Sequence, residues 1–420
     1  MLKCDVLVIG GGTGGVPAAV AAARGGAKTL LVERYGFLGG MATAGLVNPF
    51  MGYWAGERPI SAGVFAEIIE RLDKLGGLAA DKVTFDEEVL KVVLDSLVRE
   101  AGVSVLFHAT FVDCAMSGAR IDTATFVSKG GKFDVAAQCY IDATGDADVA
   151  AAAGAEVQVG RPPDGLCQPM TLNFRVAGVE RHALGESLRD ARKALNDAYL
   201  AAKTSGEIDN PRENVLVFET LRPDVLHFNT TRVVGKSPVS PEELSQAEFE
   251  GRRQAVELMA LFRRAVPGFR NAFIQKMGML MGVRESRRVM GEYVLQADDV
   301  MSARKFPDAV ACSSYPIDIH NPAGTGTVIR EVPEGDWYEI PYRSIVPLGL
   351  DNLVMASRSI SATHEAHASL RVMPVVAAIG QAAGTAAALS AAGGTRPAEI
   401  DARELRRILR ASGAFIGDAR

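Results

Sequence analysis

The sequence predicts an α/β fold: a doubly wound parallel sheet assembled from both ends of the chain, with a smaller α+β unit inserted between them. Three observations predict it. A β-branched run at residues 6–9 breaks into Gly10, Gly11, Gly12, Gly14 and Gly15, and an Ala-rich helical stretch follows at 17–24. A second apolar strand-like run, 352–356, leads into a long Gly- and Ala-rich helical segment near the C-terminus. Between about residues 160 and 335 the pattern gives way to proline joints (Pro162, Pro163, Pro211, Pro223, Pro238, Pro241) and amphipathic segments. We therefore expect one discontinuous domain, 1–160 plus 336–420, and a substrate or cap domain at 161–335.

The glycine turn is the most specific of these signals. Gly10, Gly12 and Gly15 satisfy G-x-G-x-x-G at the end of a strand and the start of a helix. Gly10 suits the tight turn, Gly12 lets backbone approach a pyrophosphate, and Gly15 lets the helix sit close on the strand. Thr13 and Gly14 complete the loop, and the unpaired N–H groups of the helix start then face phosphates. A second β-rich run, 29–32, ends in Glu33, 21 residues beyond Gly12, where an acid meets a ribose hydroxyl in a βαβ unit. An acid there favours an unphosphorylated ribose, as in NAD or FAD.

Composition narrows the class. With 48% hydrophobic and 23% charged residues in 420, the chain can build a sizeable core. A formal charge of −5 without a basic run argues against nucleic acid and against a membrane-surface partner. The most apolar long window, 372–392, is interrupted by Pro374, Gly380, Gln381 and Gly384, which suits a packed helix better than a membrane span. Five scattered cysteines without a C-x-x-C pair fit a reduced, cytoplasmic protein and exclude a redox dithiol or an iron–sulfur ligand run.

After Glu33 the sequence reads ER-x-x-x-LGG-x-A-T, through Arg34, Gly39, Gly40, Met41, Ala42 and Thr43. This resembles the FAD-binding flavoproteins of the glutathione-reductase structural class, and the resemblance implies that Arg34 lies near the adenosine and that 40–43 approach the flavin. Helices are expected at 59–76 and at 86–101 with Asp86 as N-cap, then a third strand at 103–107. The resemblance makes Val112 the candidate to hold the adenine through its main chain. Residues 111–141 read as an antiparallel meander turning at Gly118 and Gly130–Gly131. Its exit, Ala143-Thr144-Gly145-Asp146, matches the ATG-D element that returns the chain to the cofactor in that class.

In the middle region helices are expected at 186–202 and 242–265, and two strands within 214–229 around Arg222–Pro223. GVRESRR is followed by a strand-like EYVL at 292–295, and YPIDIH places Asp318 and His320 on one face if extended. The long helix is expected at 374–392 and a final one at 397–411. On the resemblance, Arg358, Val372 and Met373 are cofactor-binding candidates, because the helix start faces the flavin. SRSIS-x-TH, GVRESRR, YPIDIH and IPYRS together resemble the family of FAD-dependent oxidoreductases over nearly the whole chain.

Catalytic candidates follow from position and chemistry. His364 is first for proton handling and His320, oriented by Asp318, second, since imidazole titrates near neutrality. HEAH spaces its histidines three apart, unlike the zinc signature, so no metal is expected. Arg284, Arg287 and Arg371 are candidates to hold a carboxylate. The function expected is FAD-dependent hydride transfer to or from a small polar substrate, with the electron acceptor unassigned and a homo-oligomer compatible with the sequence. A redox-neutral, hydratase-like flavoprotein and a flavin-bearing electron-relay subunit are the alternatives.

Overall fold

The structure is a computed structural model and describes every residue except Pro163, Glu186, Ala419 and Arg420. The expected joint at Pro163 and helix start at Glu186 thus lie outside the described residues. A seven-stranded sheet dominates, in the order Ser104–Leu106, Thr29–Val32, Leu2–Ile9, Gly131–Asp142, Arg120–Ser128, Thr110–Ser117, with Leu353–Met355 also paired to Gly131–Asp142. The pairings among Ser104–Leu106, Thr29–Val32, Leu2–Ile9, Gly131–Asp142 and Leu353–Met355 are parallel. The expected meander is present, and its long last strand is shared: Gly131–Val135 pairs antiparallel with Arg120–Ser128 while Val135–Asp142 runs parallel to Leu2–Ile9. The chain ends thus meet in one mixed α/β sheet.

Two helices cover the glycine turn. Gly15–Arg24 packs against Met373–Gly393, and small residues set the closeness: a methyl group on Gly380 would overlap the carbonyl oxygen of Gly14, and one on Gly384 that of Ala18. Met373–Gly393 is long and apolar enough to span a membrane by length and composition, yet it lies mostly buried in the core. Its alanine-rich surface therefore serves helix packing.

Other elements refine the sequence expectations. The 59–76 helix starts only at Val64, because Arg58–Pro59 forms a short strand, Gly63 takes φ 63°, and Gln381 Oε1 caps the Val64 N–H at 2.9 Å. Asp86 caps Glu87–Glu100, accepting from the N–H groups of Glu88 and Val89. Residues 292–295 do not form the expected strand. The Tyr293 N–H donates to the Arg343 carbonyl and that of Leu295 to the Ser361 carbonyl, so the run is divided between two partners and builds no ladder. The C-terminal helix splits at Ile400 into a turn, Pro397–Glu399, and Ala402–Ala411.

A second sheet, ordered Val217–Glu219, Leu226–Phe228, Phe174–Ala177, Phe273–Met277, is wholly antiparallel and backed by helices Leu188–Thr204 and Pro241–Ala265. Its own core runs from Phe174 to Ala272, whereas Val289, Val310 and Ile317 belong to the core of the first sheet. By core membership the inserted unit is thus shorter than the expected 161–335, because the chain re-enters the first core by Val289. Arg175 on the second sheet donates to Glu87 of the first unit, a nearly buried pair that ties the two together.

Candidate active site

One cavity of about 1080 Å³ opens between the two sheets, and its lining divides into two walls. The first is built from loops at the carboxyl ends of the parallel strands. Gly10, Gly12, Thr13 and Gly14 line it, with Glu33, Arg34, Gly40, Met41 and the turn 143–146. Ser357, Arg358, Val372 and Met373 complete it from the C-terminal part.

This wall is shaped by backbone demands. Gly10 adopts φ 101°, and a side chain there would run into the Ala143 backbone 2.7 Å away. A methyl group on Gly14 would overlap the Ala356 carbonyl, and one on Gly15 that of Gly10, so both are required by protein packing. Gly12 is different. A methyl group on it would meet only the Gly40 Cα, at 3.8 Å, and would point into open cavity. Its lack of a side chain leaves the backbone open to the cavity there, the condition for close approach of a pyrophosphate.

Glu33 stands at the end of its strand as expected, nearly buried, accepting from the N–H groups of Gly11 at 2.6 Å and Tyr35 at 2.9 Å. Burial pushes its carboxyl up, against those two backbone donors and the charge of Arg34. Each carboxylate oxygen keeps a second lone pair for a ribose hydroxyl. Asp142, which sequence reasoning overlooked, holds the next turn. It accepts from the N–H groups of Thr144, Val149 and Ala150 at 3.0 Å each and from Thr144 Oγ1 at 2.6 Å. Asp146 accepts from Arg358 Nη2 at 2.7 Å and Ser286 Oγ at 2.6 Å, which fixes Arg358 beneath the cavity. The open face at Gly12, the oriented Glu33 and the two helix starts fit an FAD.

Several expected contacts fall elsewhere. Val112 is exposed and outside the cavity lining, and Ala109, Thr110 and Phe111, which follow the third strand Ser104–Leu106, line the cavity instead. Gly15, Gly39, Ala42 and Thr43 also lie behind the surface. Gly39 takes φ 107° before the short Gly40–Ala42 turn, and Thr43 Oγ1 donates to the Leu38 carbonyl at 2.8 Å, so these residues brace the loop.

The second wall carries side-chain chemistry. Arg284, Arg371, Asp318 and His320 line it, together with Arg212, Asn173, Asn229 and Tyr315, which the sequence did not single out. Asp318 and His320 share one face of the strand Ile317–His320, as the alternation required. Arg284 Nη1 donates to the Pro169 carbonyl and to Thr171 Oγ1, both at 2.7 Å. Arg371 Nη2 reaches Asp318 Oδ2 at 3.5 Å, and Tyr315 donates its hydroxyl to the same oxygen at 3.0 Å. Burial raises the Asp318 carboxyl, but the hydrogen bond from His320 and the charge of Arg371 outweigh it and hold the group well below the usual carboxylate range.

His320 is fixed in one tautomer. Arg232 Nη2 lies 2.9 Å from its Nδ1, and a guanidinium can only donate, so Nδ1 must be the acceptor and the proton sits on Nε2, 3.5 Å from Asp318 Oδ2. Burial, then the charge of Arg284, pushes the imidazole down to about 3. His320 is therefore neutral, with its one ring proton directed at Asp318 on the cavity wall.

His364 does not reach the cavity. It is buried behind the wall, its Nδ1 2.9 Å from Glu285 Oε1, and Glu285 also pairs with Arg288. Arg288 Nε donates to the Ala362 carbonyl at 3.0 Å and Nη2 to the Gly160 carbonyl at 2.8 Å. GVRESRR is thus divided between two surroundings: Arg284 faces the cavity while Glu285 and Arg288 pair in the core. Arg287 turns to the outer side, where Nη1 meets the Asp146 carbonyl at 2.9 Å and Asp148 Oδ1 at 3.0 Å, so it is not available to a substrate. Among the described residues no group of three or more metal-ligating side chains occurs.

The model of the FAD dependent oxidoreductase family matches residues 5–409, and the chain belongs to that family. FAD is its cofactor. Among solved structures it is similar to a geranylgeranyl bacteriochlorophyll reductase-like protein from Thermoplasma acidophilum, at 14% identity over 99% of this chain and 85% of that one, with a TM-score of 0.49. It is also similar to the flavin-dependent brominase Bmp2, at 12% identity over 97% and 83% with a TM-score of 0.46. The myxobacterial chondrochloren halogenase CndH matches at 13% identity over 98% and 79% with a TM-score of 0.45. These relatives are remote in sequence.

Proposed function

We propose that this FAD-dependent oxidoreductase moves a hydride between its flavin and a small carboxylate-bearing substrate held against the arginine wall. The observation that carries the reading is the meeting, in one cavity, of the dinucleotide loop with Arg284, Arg371 and the neutral His320. FAD supplies a ring nitrogen that accepts or releases hydride. The protein's part is to hold the substrate carboxylate on Arg284 and Arg371, whose guanidiniums bind such a group with directed N–H pairs.

The wall is rich in donors and poor in bases. His320 directs its Nε2–H at Asp318, which Tyr315 and Arg371 also engage, and His364 stands out of reach. Fixed donors stabilise negative charge that develops on an oxygen during hydride transfer. We therefore favour hydride delivery to an electron-poor bond next to a carboxylate, with the proton entering from solvent, over base-assisted oxidation. The test is anaerobic. Protein with reduced flavin is mixed with keto and unsaturated acids, and protein with oxidised flavin with hydroxy and amino acids, while flavin absorbance is followed. Reoxidation by the first group is expected. An unchanged spectrum with every acid in both directions would overturn the reading.

A further inference from the structure

Arg212 lies in the loop ahead of the strand Val217–Glu219 and lines the cavity at only 5% exposure. Its backbone is held from both sides: its carbonyl accepts from Tyr199 Oη at 2.9 Å and Lys203 Nζ at 2.7 Å, and its N–H donates to Asn210 Oδ1 at 2.9 Å. The side chain is not so held. Nε and Nη1 are buried with no hydrogen-bond partner, and the nearest carboxylate, Glu213, is 4.0 Å from Nε. A buried guanidinium with idle donors costs free energy unless something in the cavity accepts from it.

The neighbourhood is over-supplied with positive charge. Arg212, Arg232, Arg284 and Arg371 act on one another electrostatically, and the carboxylates among them are Asp318 and Glu213. Four guanidiniums against two carboxylates leave two positive charges uncompensated. Glu248 also lines the cavity but is engaged by Arg252 Nη1 at 2.8 Å and the Met281 N–H at 2.7 Å, while Glu331 is exposed. Arg371 Nε and Asn173 Oδ1 are further buried polar atoms on this wall without a partner. Burial, then the charge of Arg232, presses the Arg212 guanidinium below its ordinary range, and an anion in the cavity would relieve both effects.

Resting on the carboxylate reading above, we propose that the substrate is a small dianion, a dicarboxylate, with one carboxylate on Arg284 and Arg371 and the second on Arg212. Arg212 thereby selects a substrate with a second acidic group over one that ends in a methyl or amide.

The experiment titrates FAD-loaded protein with malonate, succinate and glutarate against acetate, propionate and butyrate, reading the flavin difference spectrum. The best dicarboxylate is expected to bind at least about tenfold more tightly than the best monocarboxylate, a margin that one charge-assisted contact supplies. Arg212→Gln is expected to bring that ratio near unity while keeping monocarboxylate binding and flavin content and not lowering the melting temperature, and Arg212→Lys to keep part of it. Equal binding of the two series by the wild-type protein would overturn the dianion proposal alone. A loss of both series together in Arg212→Gln, with the fold intact, would overturn the separate role of Arg212. No response to any acid would overturn the carboxylate reading and this proposal with it.

Discussion

The two walls of the cavity are made in different ways. On the cofactor wall, backbone shapes the lining and the carboxylates already have protein partners: Glu33 on two N–H groups, Asp146 on Arg358 and Ser286, Asp142 on four donors. On the substrate wall, side chains from separate elements converge and several keep idle donors, Arg212 and Arg371 among them. Carboxylates already fixed by the protein suit a ligand that stays. A wall with unmet charge suits one that comes and goes, because binding then replaces solvent or strain with new contacts.

Substitutions on the cofactor wall are expected to have the largest effect. Gly14→Ala drives a methyl group into the Ala356 carbonyl and should give no folded, yellow protein. Gly12→Ala has free space in the protein and should fold with an unchanged melting temperature, yet lose FAD affinity by tenfold or more, on the order of 1.4 kcal/mol. Soluble yield, thermal melting and flavin retention separate the two. Equal behaviour would erase the distinction between packing glycines and ligand glycines.

On the substrate wall, Arg284→Gln should keep FAD and stability but reduce kcat/KM for a carboxylate substrate about 10- to 100-fold, the worth of a hydrogen bond to a charged group. The two histidines sharpen the contrast further. His364→Ala removes one donor from the buried Glu285 and should cost about 1–3 kcal/mol of stability with little change in turnover. His320→Asn should lower turnover with flavin still bound. The reverse pattern would return His364 to the chemistry.

At neutral pH the histidines have their smallest effect, and acidification brings it out. Burial pushes His227 and His320 each down to about 3, while the unfolded chain titrates near the ordinary value of about 6.5. Between those values the unfolded state binds protons that the folded state refuses, so this contribution is fully present above about 6.5 and is lost as pH falls toward 3. Denaturant unfolding at a series of pH values should show stability falling on acidification, with a shallower slope in His227→Phe.

The same contrast explains what the sequence could reveal. Gly10, Gly12, Gly15, Glu33 and the 143–146 turn were legible because a backbone conformation, or a fixed distance along a βαβ unit, demands a residue type. The long helix was legible through its small residues, and Asp318 with His320 through strand alternation. Arg212 was not, because nothing near it in sequence marks it: its role arises where a loop anchored by Tyr199 and Lys203 meets Arg284 and Arg371 from distant segments. His364 and Arg287 misled for a related reason. Both sit one step from the cavity, and only the packing of Glu285, Arg288 and Asp148 turns them away.

The central claim is that the flavin ring lies between these walls. An electron-density map of the FAD-loaded protein tests it most directly. The account predicts pyrophosphate beside Gly12, ribose on Glu33, and the isoalloxazine against Val372 and Met373 with its open face toward Arg284 and His320. A ring directed away from the arginines, or a dinucleotide bound outside the Gly12 loop, would contradict it.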